Sequence, residues 1–324
     1  MSTERFDVAV VGSGPAGSVT ALVLARAGAR VALVDKAAFP RDKACGDVVG
    51  PRGVAVLRDL GLVPDAGTTE VGDMVVVGPS GRRVRLPCFE GSDYPGHGVA
   101  VPRHRFDAGL AEQALEAGAT AVTARVEHIG APPATTSGAA DAEPGHGGLD
   151  VGLDDGRRLQ ADVVVGADGA TSRVADAAGL VDARRVLWGF AVRVYLDEPV
   201  ALPHIVLWEP EPGRIFPGYG WLFPGPDGRA NAGLGIGTMA QRRAGAGAVR
   251  LLPDFLQHLR HLGLLRGTGN GSGPGRLGGW LKMGLVGTTP AAGPVLLTGD
   301  AAGLVNPLQG EGIAHAMTSG RLAA

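Results

Sequence analysis

The sequence has little cysteine, few aromatics and almost no excess of charge of either sign. Cys45 and Cys88 are the two cysteines among 324 residues. Two thiols close at most one disulfide, and a chain this long builds its core without one, so both are expected to be free in a reducing compartment. Aromatics make up 5% of the residues and the formal net charge is −2. With no basic tail and no Lys/Arg run longer than two, no nucleic-acid partner is expected. No apolar run reaches the roughly 18 residues that a membrane-spanning helix needs. Residues 1–7 carry both charge signs and run straight into a strand, unlike a secretory signal. A cytoplasmic protein is expected, whose contact with a membrane would be peripheral. His258 and His261 lie three apart with no acid or thiol at ligand spacing. They read as solvated, and no metal site is expected.

Apolar residues, by contrast, make up 45% of the chain, and 54 residues are glycine. The length suggests two domains of roughly 100–200 residues, or one α/β domain carrying an insertion. Residues 6–11 form a Val-rich run that reads as a buried parallel strand. Residues 15–27 are apolar at helical spacing and stop at Gly28, and residues 31–35 read as a second strand. These 35 residues make one βαβ unit. A helix is predicted over 105–116 and a strand over 119–126. A loop without periodicity is predicted over 131–148, and a hairpin over 149–165 turning at Asp154-Asp155-Gly156.

Composition shifts after about residue 185. Strands are predicted over 186–195, 205–208, 219–223 and 230–236, suggesting an antiparallel sheet. Residues 251–262 read as a helix and 267–279 as a glycine-rich flexible loop. A buried strand over 294–298 and a closing helix over 310–323 complete the chain.

Gly12-Ser13-Gly14-Pro15-Ala16-Gly17 stands between the first strand and its helix. In this pattern Gly12 makes the tight turn, Gly14 admits a pyrophosphate to the backbone, and Gly17 lets helix and strand pack closely. The helix start offers unpaired N–H groups and partial positive charge. Asp35 closes the next strand, 18 residues on from Gly17, where its carboxylate can accept ribose hydroxyls. This motif alone does not separate NAD from FAD.

Two later motifs do so by resemblance. The run Val163 to Val174, containing Asp168-Gly169, resembles the Asp-Gly fingerprint of the flavoprotein hydroxylase superfamily. The run Val295 to Ala302, containing Gly299-Asp300, resembles that superfamily's Gly-Asp fingerprint. Within it, Phe39-Pro40-Arg41-Asp42-Lys43-Ala44-Cys45-Gly46-Asp47 and Tyr219-Gly220-Trp221-Leu222-Phe223-Pro224 are similar to segments of the geranylgeranyl reductases and related polyprenyl or menaquinone reductases. Asn306-Pro307, Gly310-Glu311-Gly312-Ile313 and Ser319-Gly320-Arg321 fit the same family. The resemblance covers most of the chain and is weakest over 127–150 and 240–285.

This resemblance implies a Rossmann-like FAD-binding domain with an inserted sheet-rich substrate domain. The first would comprise residues 1–180 and 286–324, and the second residues 181–285. It implies FAD contacts at Gly12, Ser13, Gly14, Pro15, Ala16, Gly17, Asp35, Lys36, Cys45, Gly46, Arg103, Val126, Asp168, Gly169, Gly299, Asp300, Gly310, Gly312 and Ile313. It also implies a helix start at Gly310-Glu311-Gly312 facing the flavin ring. Tyr219, Trp221 and Phe223 would line an apolar substrate cavity, and Cys45 is the candidate catalytic side chain. NADPH or NADH would dock transiently, since no second dinucleotide motif is present. Relatives usually continue beyond the helix in which this chain ends at Ala324.

The leading expectation is reduction of carbon–carbon double bonds in an isoprenoid or similarly apolar small molecule. Alternatives are an aromatic or polyketide monooxygenase and a flavin-binding module without turnover. No Trp-x-Trp-x-Ile-Pro segment marks a halogenase.

Overall fold

The computed structural model describes residues 4–62, 67–130, 148–209, 218–225, 228–239, 246–269 and 275–324. Residues 131–147 of the loop expected over 131–148, and 270–274 of the glycine-rich run, lie outside these residues. An eight-stranded sheet carries the first βαβ unit. Glu4–Val11 lies between Val31–Asp35 and Arg158–Gly166, parallel to both. Thr120–Thr123 extends one side, Val295–Leu297 the other, again in parallel. Both faces of such a sheet are covered, which is why Val8 to Val11 are apolar without alternation. Val10, Leu33 and Val165 pack on one face among helical residues including Leu22, Leu110 and Met317. Ala9, Val11, Val34 and Val164 pack on the other, against the strand Leu149–Leu153 and Val174.

The helix Pro15–Arg26 begins with proline in its first turn and ends at Ala27, followed by Gly28 at φ +89°. Proline there lacks an N–H that would be unpaired anyway, and glycine takes the left-handed exit without cost. The closing helix Ile313–Ala323 crosses it so closely that a side chain on Gly320 would meet the Ala16 carbonyl. Thr20 Oγ1 donates across this crossing to Gly320 O at 3.1 Å.

The second sheet has seven strands in the order Leu277–Met283, Leu187–Leu196, Ala230–Met239, Gly218–Pro224, His204–Val206, Met74–Val77 and Arg83–Leu86. Alternation along Gly218–Pro224 sends Gly220 and Leu222 to one face and Tyr219, Trp221 and Phe223 to the other. The first face buries Leu222, Leu234 and Val192 under Leu252, Phe255 and Leu259 of the helix Ala246–His261. Gly220 is required there, because a side chain would enter the Phe255 ring.

The mixed α/β architecture matches the expectation, with differences of detail. Two strands of the second sheet, Met74–Val77 and Arg83–Leu86, come from within residues 1–180. The sheet is not antiparallel throughout, because Met74–Val77 runs parallel to His204–Val206. Residues 277–279 are strand rather than loop, and the closing helix starts at Ile313, three residues later than expected. Residues 119–126 divide into Thr120–Thr123 and the start of Val126–Gly130. The helix Pro51–Asp59 and a three-stranded sheet of Val48–Val49, Gly98–Ala100 and Thr69–Val71 were not foreseen. His258 is not solvated: it is half-buried, with its ring 6.0 Å from that of Trp208.

Candidate functional site

The first glycine motif forms a cradle whose three glycines are each fixed by a different neighbour. Gly12 adopts φ +100°, and a side chain there would strike the Ala167 carbonyl. A side chain on Gly17 would strike the carbonyl of Gly12 itself. Around Gly14 the space is open, the nearest atom to a built Cβ being Arg41 Nη2 at 3.9 Å. Gly14 is the N-cap of its helix, with no side-chain cap and no acidic residue in the first turn. Backbone N–H groups therefore point outward with the positive end of the helix dipole behind them. Asp35 flanks this cradle and accepts from Ser13 N at 2.8 Å and Ala37 N at 3.0 Å.

The two later fingerprints converge on the cradle. Ala167 N donates to Val11 O at 2.7 Å, bringing Asp168-Gly169 beside Gly12. Asp168 is engaged locally: it accepts from Ser172 Oγ at 2.5 Å and Arg173 N at 2.7 Å, holding the start of the short helix Arg173–Ala177. Burial nonetheless raises its pKa above the ordinary carboxylate value. Gly299 lies at φ +55° between Ala16 and Ala316, 3.1 and 3.3 Å from a built Cβ, and Ser319 Oγ accepts its N–H at 3.0 Å. Asp300 pairs with Lys43 at 3.4 Å. Gly312 caps the closing helix without a side-chain bond and lies near Asp300 and Val305. Two uncapped helix starts thus open beside Gly299. Lys282, which sequence reasoning passed over, is 1% exposed and stands against Gly303. Burial lowers its pKa, opposed by the charges of Asp176, Asp168 and Asp300.

Arg103 is buried and grips Asp107 with two bonds of 2.7 Å, while Arg41 reaches the same carboxylate at 3.5 Å. Burial opposes the Arg103 charge, but Asp107 and Cys45 hold its pKa above the ordinary arginine value. The Cys45 thiol faces Arg103, and burial pushes its pKa up. Lys36 is exposed beside Asp35, and the Val126 side chain belongs to the core.

Over Cys45 and Gly46 stands the aromatic face of the second sheet. Tyr219, Trp221 and Phe223 form a row with successive ring centroids 6.4 Å apart. A side chain on Gly46 would come within 2.7 Å of the Phe223 ring. Tyr219 donates to Gln309 O at 2.5 Å and is packed against Gly310, whose φ is +66°. Burial pushes the Tyr219 pKa up to about 12, so the hydroxyl remains a donor. On the neighbouring strands the same face carries Gly233, Gly235 and Ala191, a floor lower than its aromatic wall. Asn231, Arg193, Tyr195 and Asp47 form a buried polar cluster behind Cys45. Sequence reading missed the cluster, because its members are distant in sequence and Asp47 alone lies in a recognised segment.

The structure thus gathers the three glycine fingerprints, Asp35, Arg103, Cys45, Gly46 and the aromatic row around one interface between sheets. The donor set fits FAD: outward N–H groups at Gly14 suit a pyrophosphate, and Asp35 beside them can accept ribose hydroxyls.

Comparison with known proteins agrees. Residues 5–203 match the family model of the FAD binding domain. The chain is 38% identical to a menaquinone reductase of Mycolicibacterium smegmatis over 99% of its own length and 76% of that protein's. It is 31% identical to digeranylgeranylglycerophospholipid reductase 2 of Methanopyrus kandleri, over 98% and 76% of the two lengths. A geranylgeranyl bacteriochlorophyll reductase-like protein from Thermoplasma acidophilum superposes with a TM-score of 0.73 at 26% identity, over 99% of this chain and 77% of the other. This chain belongs to the FAD-binding family, as an FAD-dependent oxidoreductase of the geranylgeranyl reductase type.

Proposed function

We propose that this oxidoreductase reduces carbon–carbon double bonds in the isoprenoid chain of a quinone or lipid. The observation that carries the reading is the Tyr219, Trp221 and Phe223 row closing over Cys45 and Gly46, an apolar wall where the two sheets meet. Menaquinone and digeranylgeranylglycerophospholipid, named in relatives of this chain, share isoprenoid chains that suit such a wall.

In this reading residues 1–180 and 286–324 carry the cofactor and 181–285 cover the substrate, joined by the two strands from 74–86. The Gly12 to Gly17 cradle would hold the pyrophosphate with Arg41 and Arg103 nearby. Asp35 and the exposed Lys36 would lie at the ribose, the Val126 backbone near the adenine, and Asp168 and Asp300 at the two fingerprint turns. Gly169, Gly299, Gly310, Gly312 and Ile313 would let the chain pass close to the cofactor. Bound, reduced FAD supplies the hydride equivalent. The aromatic row excludes water from the substrate chain, Tyr219 ties that wall to Gln309, and Cys45 holds a proton on Sγ beside the reacting carbons. NADPH or NADH would dock transiently as reductant. The substrate would be drawn from a lipid phase, so the protein would meet a membrane at its surface; no helix among the described residues is long and apolar enough to cross one.

The test is anaerobic photoreduction of the FAD-loaded protein followed by menaquinone with a polyprenyl tail. Return of the oxidised flavin band without oxygen, with a product two hydrogens heavier and saturated in its side chain, is the expected result. Return only on admitting oxygen would overturn the reading and favour a monooxygenase.

A further inference from the structure

The polar cluster behind Cys45 is built from residues outside both the glycine cradle and the aromatic row. Its centre is Asp47, 1% exposed and held at φ +63°, a left-handed conformation that few residues other than glycine, asparagine and aspartate adopt readily. Its Oδ2 accepts from the Tyr195 hydroxyl and from Asn231 Nδ2, the latter at 2.9 Å. Its Oδ1 is buried and has no hydrogen-bond partner among the described residues. Asn231 uses both amide hydrogens and its oxygen: Nδ2 also donates to the Cys45 carbonyl at 2.8 Å, and Oδ1 accepts from Trp221 Nε1 at 2.9 Å. Arg193, fully buried, donates to Asp42 at 2.5 Å and lies over the Tyr195 ring at 4.1 Å.

Segment 42–47 is therefore tied to the second sheet at Asp42, at the Cys45 carbonyl and at Asp47. Cys45 and Gly46 hang between these ties, and the Asn231 that fixes Cys45 also fixes the Trp221 indole. A buried carboxyl with one oxygen unpartnered persists only where its other bonds and its surroundings hold it in place. We propose that Asp47 is the positioning residue of this site, holding the Cys45 thiol and the Trp221 ring in mutual register through Asn231 and Tyr195. The groups facing its carboxyl are Tyr195, Asn231, Arg193, Arg103 and Cys45. The proposal rests on the reading above only in taking the Cys45 side of the interface as the reacting side.

The test uses FAD-loaded protein carrying Cys88→Ser, so that Cys45 is the sole thiol. Asp47→Gly keeps the left-handed backbone at no steric cost and removes the carboxyl. Asp47→Asn keeps an oxygen that can accept both bonds, and Tyr195→Phe removes one of them. Each variant is compared with the parent for Cys45 alkylation by N-ethylmaleimide, the visible flavin spectrum, melting temperature, and kcat and KM for anaerobic re-oxidation by the prenylated quinone.

For Asp47→Gly we expect alkylation about tenfold faster, a shifted flavin band and kcat down by about tenfold, with KM and FAD content unchanged. Tyr195→Phe should show the same changes in weaker form, and Asp47→Asn should stay within about threefold of the parent. Parent-like alkylation and spectrum in both Asp47→Gly and Tyr195→Phe would overturn the proposal, as would an Asp47→Asn protein as impaired as Asp47→Gly. If Asp47→Gly does not fold, Tyr195→Phe decides alone, and parent-like behaviour overturns the proposal. If the prenylated quinone fails to re-oxidise even the parent, the function reading fails, while alkylation and spectrum still decide the role of Asp47.

Discussion

The Tyr219 hydroxyl donates to the Gln309 carbonyl at 2.5 Å, joining the aromatic wall of the second sheet to the loop that enters the closing helix. Tyr219→Phe removes the donor and keeps the ring. We expect turnover of the prenylated quinone to fall about tenfold with FAD content unchanged, since a displaced wall misplaces substrate rather than cofactor. Burial places the Tyr219 pKa at about 12. The ratio of parent to variant rates should therefore stay flat between about pH 6 and pH 10, and a ratio that varied with pH would contradict a tether of this kind.

Gly17 and Gly14 should respond in opposite ways to the same methyl group. On Gly17 it would meet the Gly12 carbonyl, a backbone atom that cannot give way. Gly17→Ala should lose about 3 kcal/mol or more of stability and purify without flavin. On Gly14 it meets only open space, 3.9 Å from Arg41 Nη2. Gly14→Ala should cost about 1 kcal/mol as a changed N-cap, yet weaken FAD binding because the methyl stands where the anion would lie. Thermal melts and flavin titration of both variants separate these effects.

Asp107 is fully buried beneath Arg103 and takes both of its bonds at 2.7 Å. Arg103→Met leaves a buried carboxylate whose remaining ion pair among the described residues is the longer 3.5 Å contact of Arg41. The loss should be about 3 kcal/mol in chemical denaturation, and adding Asp107→Leu should recover much of it. A single variant as stable as the parent would show that the pair contributes nothing.

Burial raises the pKa of Asp47 above the ordinary carboxylate value. The folded chain then holds this proton more tightly than the unfolded chain, so stability falls as pH rises from the unfolded value through the folded one. Asp47→Asn cannot lose a proton and escapes that fall. The variant's melting temperature relative to the parent should therefore be more favourable at about pH 8 than at about pH 4. An unchanged difference would show that Asp47 does not titrate across that window.

Much of the cofactor side was legible in the sequence because it is local. The Val-rich run from Val8 to Val11, the glycines that follow and Asp35 lie within one βαβ unit, and Val295–Leu297 repeats the buried style of the first strand. The second sheet was legible only in part. Residues 277–279, the start of the strand Leu277–Met283, read as loop because Gly278 and Gly279 break any strand pattern. The fold explains them: a side chain on Gly278 would come within 2.8 Å of the Phe190 ring. Met74–Val77 joins a strand some 130 residues away, a pairing that no local period announces. Asp47, Asn231, Arg193 and Lys282 are illegible for the same reason. A polar residue looks solvated until partners brought from elsewhere in the chain bury it.

The strands Met74–Val77 and Arg83–Leu86 belong by sequence to the first segment and by hydrogen bonding to the second sheet. The chain thus leaves the first sheet after Asp35, reaches the second near residue 74 by way of the three-stranded sheet, returns through Gly98–Ala100 to the first near 120, and crosses again near 187 and back near 291. The second sheet is consequently not a cassette. A chimera exchanging residues 181–285 alone would set a foreign His204–Val206 strand against a native Met74–Val77 partner. An exchange that kept the pairing would have to carry the 74–86 ribbon with it, so this one sheet is specified by two separated pieces of the gene.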